Sequence, residues 1–360
     1  MVNVTKLLKD FRQADLQAYI DQQANSELGF GPLFPSKYTT KLTFESLQAN
    51  FGAKVAADVV AFNSRGPRKG RPTVGKITGD IPKTEIVRVK DEVDINTYRQ
   101  LMTSLASSKN PQIVKQVIDF MYEDSKFVLD GVNARMEWLA KQVASNGKYK
   151  LTVDNNAGGV QTAEIAFGIP NANRKNASVN WSNPSTAKPI TDIKALEKEA
   201  RAKGHMIKYA TTDRDTIDNL LNAEETQKYC ASYAANALGL QVAPTLEDLN
   251  RALAKNNLPQ IRMWDSIITF EDKKGDHTST TGWEAGNVTF SVTPALGEVQ
   301  WTDTADSWVD IDNSVKAYKD FALVKTYAEQ DPIGVITKGI TYATPVLIGA
   351  GSTYILKTAV

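Results

Sequence analysis

Between residues 2 and 23 apolar positions recur three to five apart (Leu7, Leu8, Phe11, Leu16, Tyr19, Ile20), with lysine, aspartate and arginine between them. That spacing predicts a short amphipathic helix lying on the surface. Residues 29–35 then read GFGPLFP. Two glycines and two prolines in seven positions do not fit a regular element. The expectation is an extended arm that carries Phe30, Leu33 and Phe34 as exposed anchors. Alternation over residues 38–44 and 55–62 predicts strands.

Composition changes abruptly between residues 63 and 83, where Gly66, Gly70, Gly75 and Gly79 join Pro67, Pro72 and Pro82. Six positive charges, Arg65, Arg68, Lys69, Arg71, Lys76 and Lys83, face only Asp80. Too little apolar area is available to hold such a stretch in a core, so a projecting two-legged loop is predicted.

A helix signal starts after Asp94 or Asn96, pauses at Pro111 behind the cap residue Asn110, and resumes. From there Val114, Val117, Ile118, Met121, Val128, Val132, Met136, Leu139 and Val143 mark one face as far as Ser145, and Asn146-Gly147 stops it. At 1.5 Å per residue this helix is about 50 Å long. Gly131 inside it costs about 1 kcal/mol relative to alanine and marks a bend or a close contact.

Residues 149–153 and 160–167 alternate around DNNAGG and predict a hairpin. The pattern then turns to mixed helix and strand. A helix capped by Thr191 or Asp192 runs to Gly204, residues 205–210 form a strand, and Thr212 opens a second helix. Residues 223–238 form a third helix and Thr245 caps a fourth. Strands follow at residues 261–270, 288–292, 342–348 and near Tyr354. Residues 185–265 therefore read as an α/β unit inserted into a first unit to which the C-terminal strands return.

The 360 residues carry 42 Lys and Arg against 41 Asp and Glu, a formal charge of +1 that provides no global field for nucleic acid or an anionic membrane. One cysteine, Cys230, excludes an intramolecular disulfide and fits a reducing cytoplasm. The N-terminus lacks a signal-peptide apolar stretch, and the longest apolar run, residues 345–350, is far short of a membrane span. A soluble, non-exported protein without membrane contact is expected.

Candidate chemistry is sparse. His205 and His277 are the only histidines, and no nucleophile motif surrounds them. Cys230 reads as a small core residue. Asp303, Asp306, Asp310 and Asp312 suggest a cation loop, but a calcium loop from Asp310 would need glycine and glutamate where Val315 and Phe321 stand. GFGPLF and GPRKGRP both fail as phosphate cradles. No catalytic residue, cofactor or metal is predicted. The basic loop lacks the aromatic residues needed to stack bases, which leaves a solvated tip, a flexible contact with phosphates, or a crossing onto carboxylates of a neighbouring copy.

In order along the chain stand GPLFP, the basic loop closing on IPKTEIVRVKDEVDINTYRQLM, the long helix, and WSNPSTAKPITDIKALEKEARAKGH. WDSIITF and QDPIGVITKGITYATPVLIGAG follow. This series, over residues 29–356, resembles the lambda-type (E-type) major capsid proteins of tailed bacteriophages. The resemblance implies an α+β, HK97-like fold. It assigns residues 1–50 to an N-terminal arm, 51–90 to an extended loop over an adjacent subunit, and 91–184 to a peripheral domain with spine helix and hairpin. Residues 185–265 become an axial domain and 266–360 the return to the peripheral domain.

The implied function is mechanical: hexamers and pentamers that close an icosahedral head around double-stranded DNA, found in the virion and assembled in the host cytoplasm. The chain's main partner is then itself, with weak, non-specific contact to DNA on the inner face. Portal, scaffold and decoration proteins are further implied partners. Phe30, Leu33 and Phe34 would bury apolar area on a neighbour, while Arg65, Arg68, Lys69 and Arg71 would supply steering and register. Glu123 and Asp124 on the long helix are the expected acidic acceptors. An encapsulin-like shell around a cargo enzyme, and a small-molecule enzyme with a ligand near residues 208–213, are the alternatives.

Overall fold

The computed structural model describes residues 12–23, 28–48, 75–107, 110–152, 154–156, 159, 164–231, 243–272, 274–309 and 314–359. In chain order its N-terminal elements are α1 (Gln13–Gln22), the single turn α2 (Phe30–Leu33), β1 (Ser36–Tyr38), β2 (Thr43–Gln48), β3 (Gly75–Asp80) and β4 (Lys83–Lys90). Helices α3 (Glu92–Ser107) and α4 (Pro111–Asn146) follow, then β5 (Lys148–Lys150), β6 (Glu164–Ala166) and β7 (Arg174–Asn176). The middle holds α5 (Pro189–Ala202), β8 (Tyr209–Thr212), α6 (Arg214–Asn222), α7 (Glu224–Cys230), α8 (Leu246–Lys255) and β9 (Gln260–Met263). The rest is β10 (Ile268–Glu271), β11 (His277–Thr280), β12 (Asn287–Ser291), β13 (Gly297–Thr302), α9 (Ala305–Trp308), β14 (Ser314–Lys319), β15 (Ala322–Gln330), β16 (Ile333–Leu347) and β17 (Tyr354–Lys357).

Helix α4 begins as the sequence dictates: the Asn110 side chain accepts from Gln112 N at 3.0 Å, Pro111 takes the first position, and Gly147 ends the helix at φ 68°. Its 36 residues span about 54 Å. The buried stripe Val128, Val132, Met136, Leu139 and Val143 lies on a six-stranded sheet ordered β1-β13-β16-β15-β14, with β4 also on β16. β16 is the spine of that sheet, pairing β15 through Ile333–Ile340, β4 through Val335–Tyr342 and β13 through Tyr342–Leu347.

Helix and sheet touch where side chains vanish. A Cβ on Gly339 would lie 2.5 Å from the carbonyl oxygen of Val128, and one on Gly131 would lie 2.6 Å from Ile86 Cδ1. Gly131 is thus a close contact. Ile86 can turn aside, whereas the helix backbone above Gly339 cannot. Gly339→Ala is expected to cost about 1–3 kcal/mol, read as a lower urea midpoint.

A second core surrounds the sheet β7-β17-β12-β8-β9, built from Trp181, Ile190, Leu196, Ile217, Leu249, Leu253, Phe290 and Tyr354 among others. Strands β12 and β17 come from residues 266–360 and pair at its centre, so the C-terminal stretch serves both sheets. Short alternating runs announce a strand without saying which sheet receives it. The single strand predicted over residues 261–270 divides for the same reason: β9 joins β8 in this sheet, and β10 forms a separate hairpin with β11.

Asp192 lies inside the first turn of α5. It accepts from Trp181 Nε1 at 2.9 Å and Ser178 N at 3.1 Å, while Glu225 caps the helix by accepting from Ile190 N at 2.8 Å. Thr245 caps α8 in a reciprocal box with Asp248.

His205 is buried, 2.7 Å from the Tyr354 hydroxyl. Burial, aided by Lys203, holds its imidazole below the usual 6.5. The unfolded chain therefore takes up this proton at higher pH than the folded chain. The site's full contribution is present above pH 6.5 and is lost as pH falls through the lowered folded value. As pH falls below 6.5 the urea midpoint of the parent should drop more steeply than that of His205→Gln.

Candidate intersubunit surfaces

β2 and β3, which flank residues 49–74 in the chain, pair antiparallel from Thr43↔Asp80 to Gln48↔Gly75. Their base is bolted to the large sheet. Phe44 is fully buried beside Phe167, the Ser46 hydroxyl donates to Leu347 O at 2.6 Å, and the Gln300 amide binds Glu45 through both its N and its O. Gln300 thus acts as an extra strand residue and fixes the direction of the legs. Arg65, Arg68, Lys69 and Arg71 lie outside the described residues, as do Asp310 and Asp312.

The arm differs from expectation. Phe30, Leu33 and Phe34 are not exposed anchors: their exposures are 6 %, 8 % and 0 %, inside this chain's own core. Residues 30–33 form a helical turn, and the chain beyond it runs along β13, with Leu296 N donating to Leu33 O at 2.9 Å and Val299 N to Pro35 O at 3.0 Å. An apolar side chain among glycines and prolines has the same appearance in sequence whether its pocket is its own or a neighbour's.

The expected acidic acceptors are also corrected in part. Asp124 is 5 % exposed and already held by Lys90, with Arg88 Nε at 3.5 Å. Glu123 remains on the surface, 3.7 Å from Arg88 Nη1. Arg88 also covers the Phe127 ring at 4.4 Å. Alternation along β4 sends Ile86, Arg88 and Lys90 toward α4, which is why Asp124 is consumed within the chain.

Sequence reasoning missed two constellations. Glu137 of α4 is fully buried and accepts from Phe30 N at 2.8 Å and from Trp264 Nε1 and Ser266 Oγ. Lys141, one turn on and equally buried, stands 3.7 Å from Glu137 and donates to Ser266 O at 2.7 Å. Burial lowers the Lys141 pKa, against the pull of Glu137. Trp264 and Ser266 lie in the link between β9 and β10, so this joint ties the arm, the long helix and the crossing between the two sheets together. The i,i+4 spacing of Glu137 and Lys141 was the available signal, but it is equally typical of a solvated helix face.

The second is Gln17 of α1, whose amide donates to Tyr318 O at 2.8 Å and accepts from Tyr318 N at 2.9 Å. It closes the β14 edge, and Leu16 and Ile20 beside it are fully buried. Gln17→Ala should cost about 1 kcal/mol and expose the β14 amides to faster hydrogen exchange.

The remaining candidates are held within the fold. His277 sits exposed on β11, Cys230 is half-buried with its thiol pushed up by burial, Asp306 binds Lys325 at 2.6 Å, and Asp303 accepts from the Tyr38 hydroxyl at 2.6 Å. Among the described residues no helix is long and apolar enough to cross a membrane.

No curated protein matches this chain. Among the solved structures that share its fold are two of phage origin. One is a prophage protein from E. coli CFT073 assigned as a capsid protein, 14% identical, with a TM-score of 0.55 over 97% of this chain and 99% of that one. The other is a phage-related protein from Bordetella bronchiseptica RB50, 13% identical, with a TM-score of 0.51 over 96% and 97% of the two chains. The long helix on its six-stranded sheet, the second α/β core and the two-legged ribbon form the α+β, HK97-like capsid arrangement. The phage major capsid protein E family matches residues 13–350, nearly the whole chain, and this protein belongs to that family of capsid shell proteins.

Proposed function

We propose that this shell protein forms hexamers and pentamers that close an icosahedral head around double-stranded DNA. The family match over residues 13–350 carries the reading. The work is mechanical: identical chains join through heterologous contacts that complete rings. The unit containing β7, β8, β9, β12 and β17 is the axial domain, the unit with α4 the peripheral domain, and the ribbon β2–β3 the base of a loop that lies over an adjacent copy. With its interior hydrophobics used within the chain, the contact depends on loop charge and on the apolar residues still exposed.

A formal charge of +1 suits the inner wall, which holds DNA only weakly and non-specifically. Portal, scaffold and decoration proteins join the same shell, and assembly takes place in the host cytoplasm before the protein is carried in the virion. Nothing in this role requires catalysis. Particles from producing cells, treated with nuclease and then opened, should release protected double-stranded DNA. Particles holding only a protein cargo would contradict the reading.

A further inference from the structure

An edge strand turns alternate N–H and C=O groups outward, where a strand of another chain can add to them. The five-stranded sheet has two such edges, since among the described residues β7 pairs only with β17 and β9 only with β8. Gln260 N donates to Lys208 O and Trp264 N to Thr212 O, both on the β8 side. Ile261 between them therefore faces its own N–H and C=O outward.

Both groups are met within the chain. Asn250 of α8 accepts from Ile261 N at 2.7 Å and donates to Ile261 O at 2.8 Å. One side-chain amide stands where a further strand would bind. The same device occurs twice more, Gln17 on Tyr318 of β14 and Gln300 on Glu45 of β2. The opposite edge of this sheet, β7, carries two consecutive cations, Arg174 and Lys175. Charge on an edge strand also opposes pairing with another chain.

We infer that Asn250, with the β7 cations at the far edge, keeps the axial units of neighbouring copies from fusing into one continuous sheet. The inference rests on the proposal that this unit meets its neighbours in rings of five and six. Those rings set adjacent units at different angles. A main-chain ladder between units would fix one angle, whereas side-chain contacts accommodate both. Closed edges thus let one sequence build both rings, and opening β9 diverts it into tubes, sheets or fibres.

Asn250→Ala, Asn250→Ala/Gln260→Lys and Asn250→Asp test this against the parent by electron microscopy, urea unfolding and hydrogen exchange. Alanine keeps the helix, so Asn250→Ala should fold. Its Ile261 amide should exchange at least about tenfold faster, and at least about fivefold fewer chains should reach closed shells. Gln260 is exposed on β9, so Gln260→Lys charges the opened edge without restoring either bond. The double variant should return closed shells to within about twofold of the parent while keeping the urea midpoint of Asn250→Ala. Asn250→Asp keeps the acceptor for Ile261 N and adds a charge, so its shells should be normal.

An Asn250→Ala chain that does not fold, or one that forms normal shells, would overturn the inference. So would unchanged exchange at Ile261, no recovery in the double variant, or equal shell loss in Asn250→Asp. A parent without shells is instead the failure of the shell reading. The edge is then read by light scattering, where Asn250→Ala should associate at lower concentration than the parent and equal association would overturn the inference.

Discussion

Glu137→Ala is expected to destabilise the subunit by about 3–5 kcal/mol, the largest effect of any single substitution considered. Three donors, Phe30 N, Trp264 Nε1 and Ser266 Oγ, lose their acceptor at once in a site with no access to water. Lys141 is left as a buried ammonium without its counter-charge, and burial already disfavours its charged form. Because the same carboxylate binds the arm and the link between the sheets, the loss should also loosen residues 28–34, seen as faster hydrogen exchange there. The double variant Glu137→Leu/Lys141→Met should be less damaging than Glu137→Ala, since it removes both charges together. Urea unfolding of the three proteins decides this; a Glu137→Ala midpoint equal to the parent's would show that the joint carries no load.

Reversing Arg65, Arg68 and Lys69 to glutamate should leave a folded subunit that no longer forms shells. In the chain these residues stand between β2 and β3, and the substitutions leave Phe44, Ser46 and Gln300, which fix the base of that ribbon, unaltered. The loss is repeated at every contact of the shell. Since surface charge is screened over about 10 Å at 0.1 M salt and about 3 Å at 1 M, the parent should assemble less well as salt rises. Circular dichroism matching the parent, together with the absence of particles, is the expected result. Normal particles would count against the loop as a contact.

Local signals were easy to read where chemistry acts within a few residues. Asn110-Pro111 and Gly147 bounded α4, and Thr245 announced the cap of α8. What was hidden depends on distant partners. Phe30 and Phe34 looked like anchors for another chain because β13 and Glu137, which bury them, lie more than a hundred residues away. Glu137 and Gln17 looked like solvated helix residues, and Asp124 looked available, until the sheets placed Trp264, Tyr318 and Lys90 against them. The division of residues 261–270 between two sheets has no local signature either, since both halves are strands.

As a capsid shell protein, this chain is a building unit of a closed container. Electron microscopy of the purified protein across a concentration series, with light scattering on the same samples, tests it most directly. Uniform hollow particles of many copies are the predicted result; a monomer at every concentration, with residues 63–73 packed on its own surface, would contradict it.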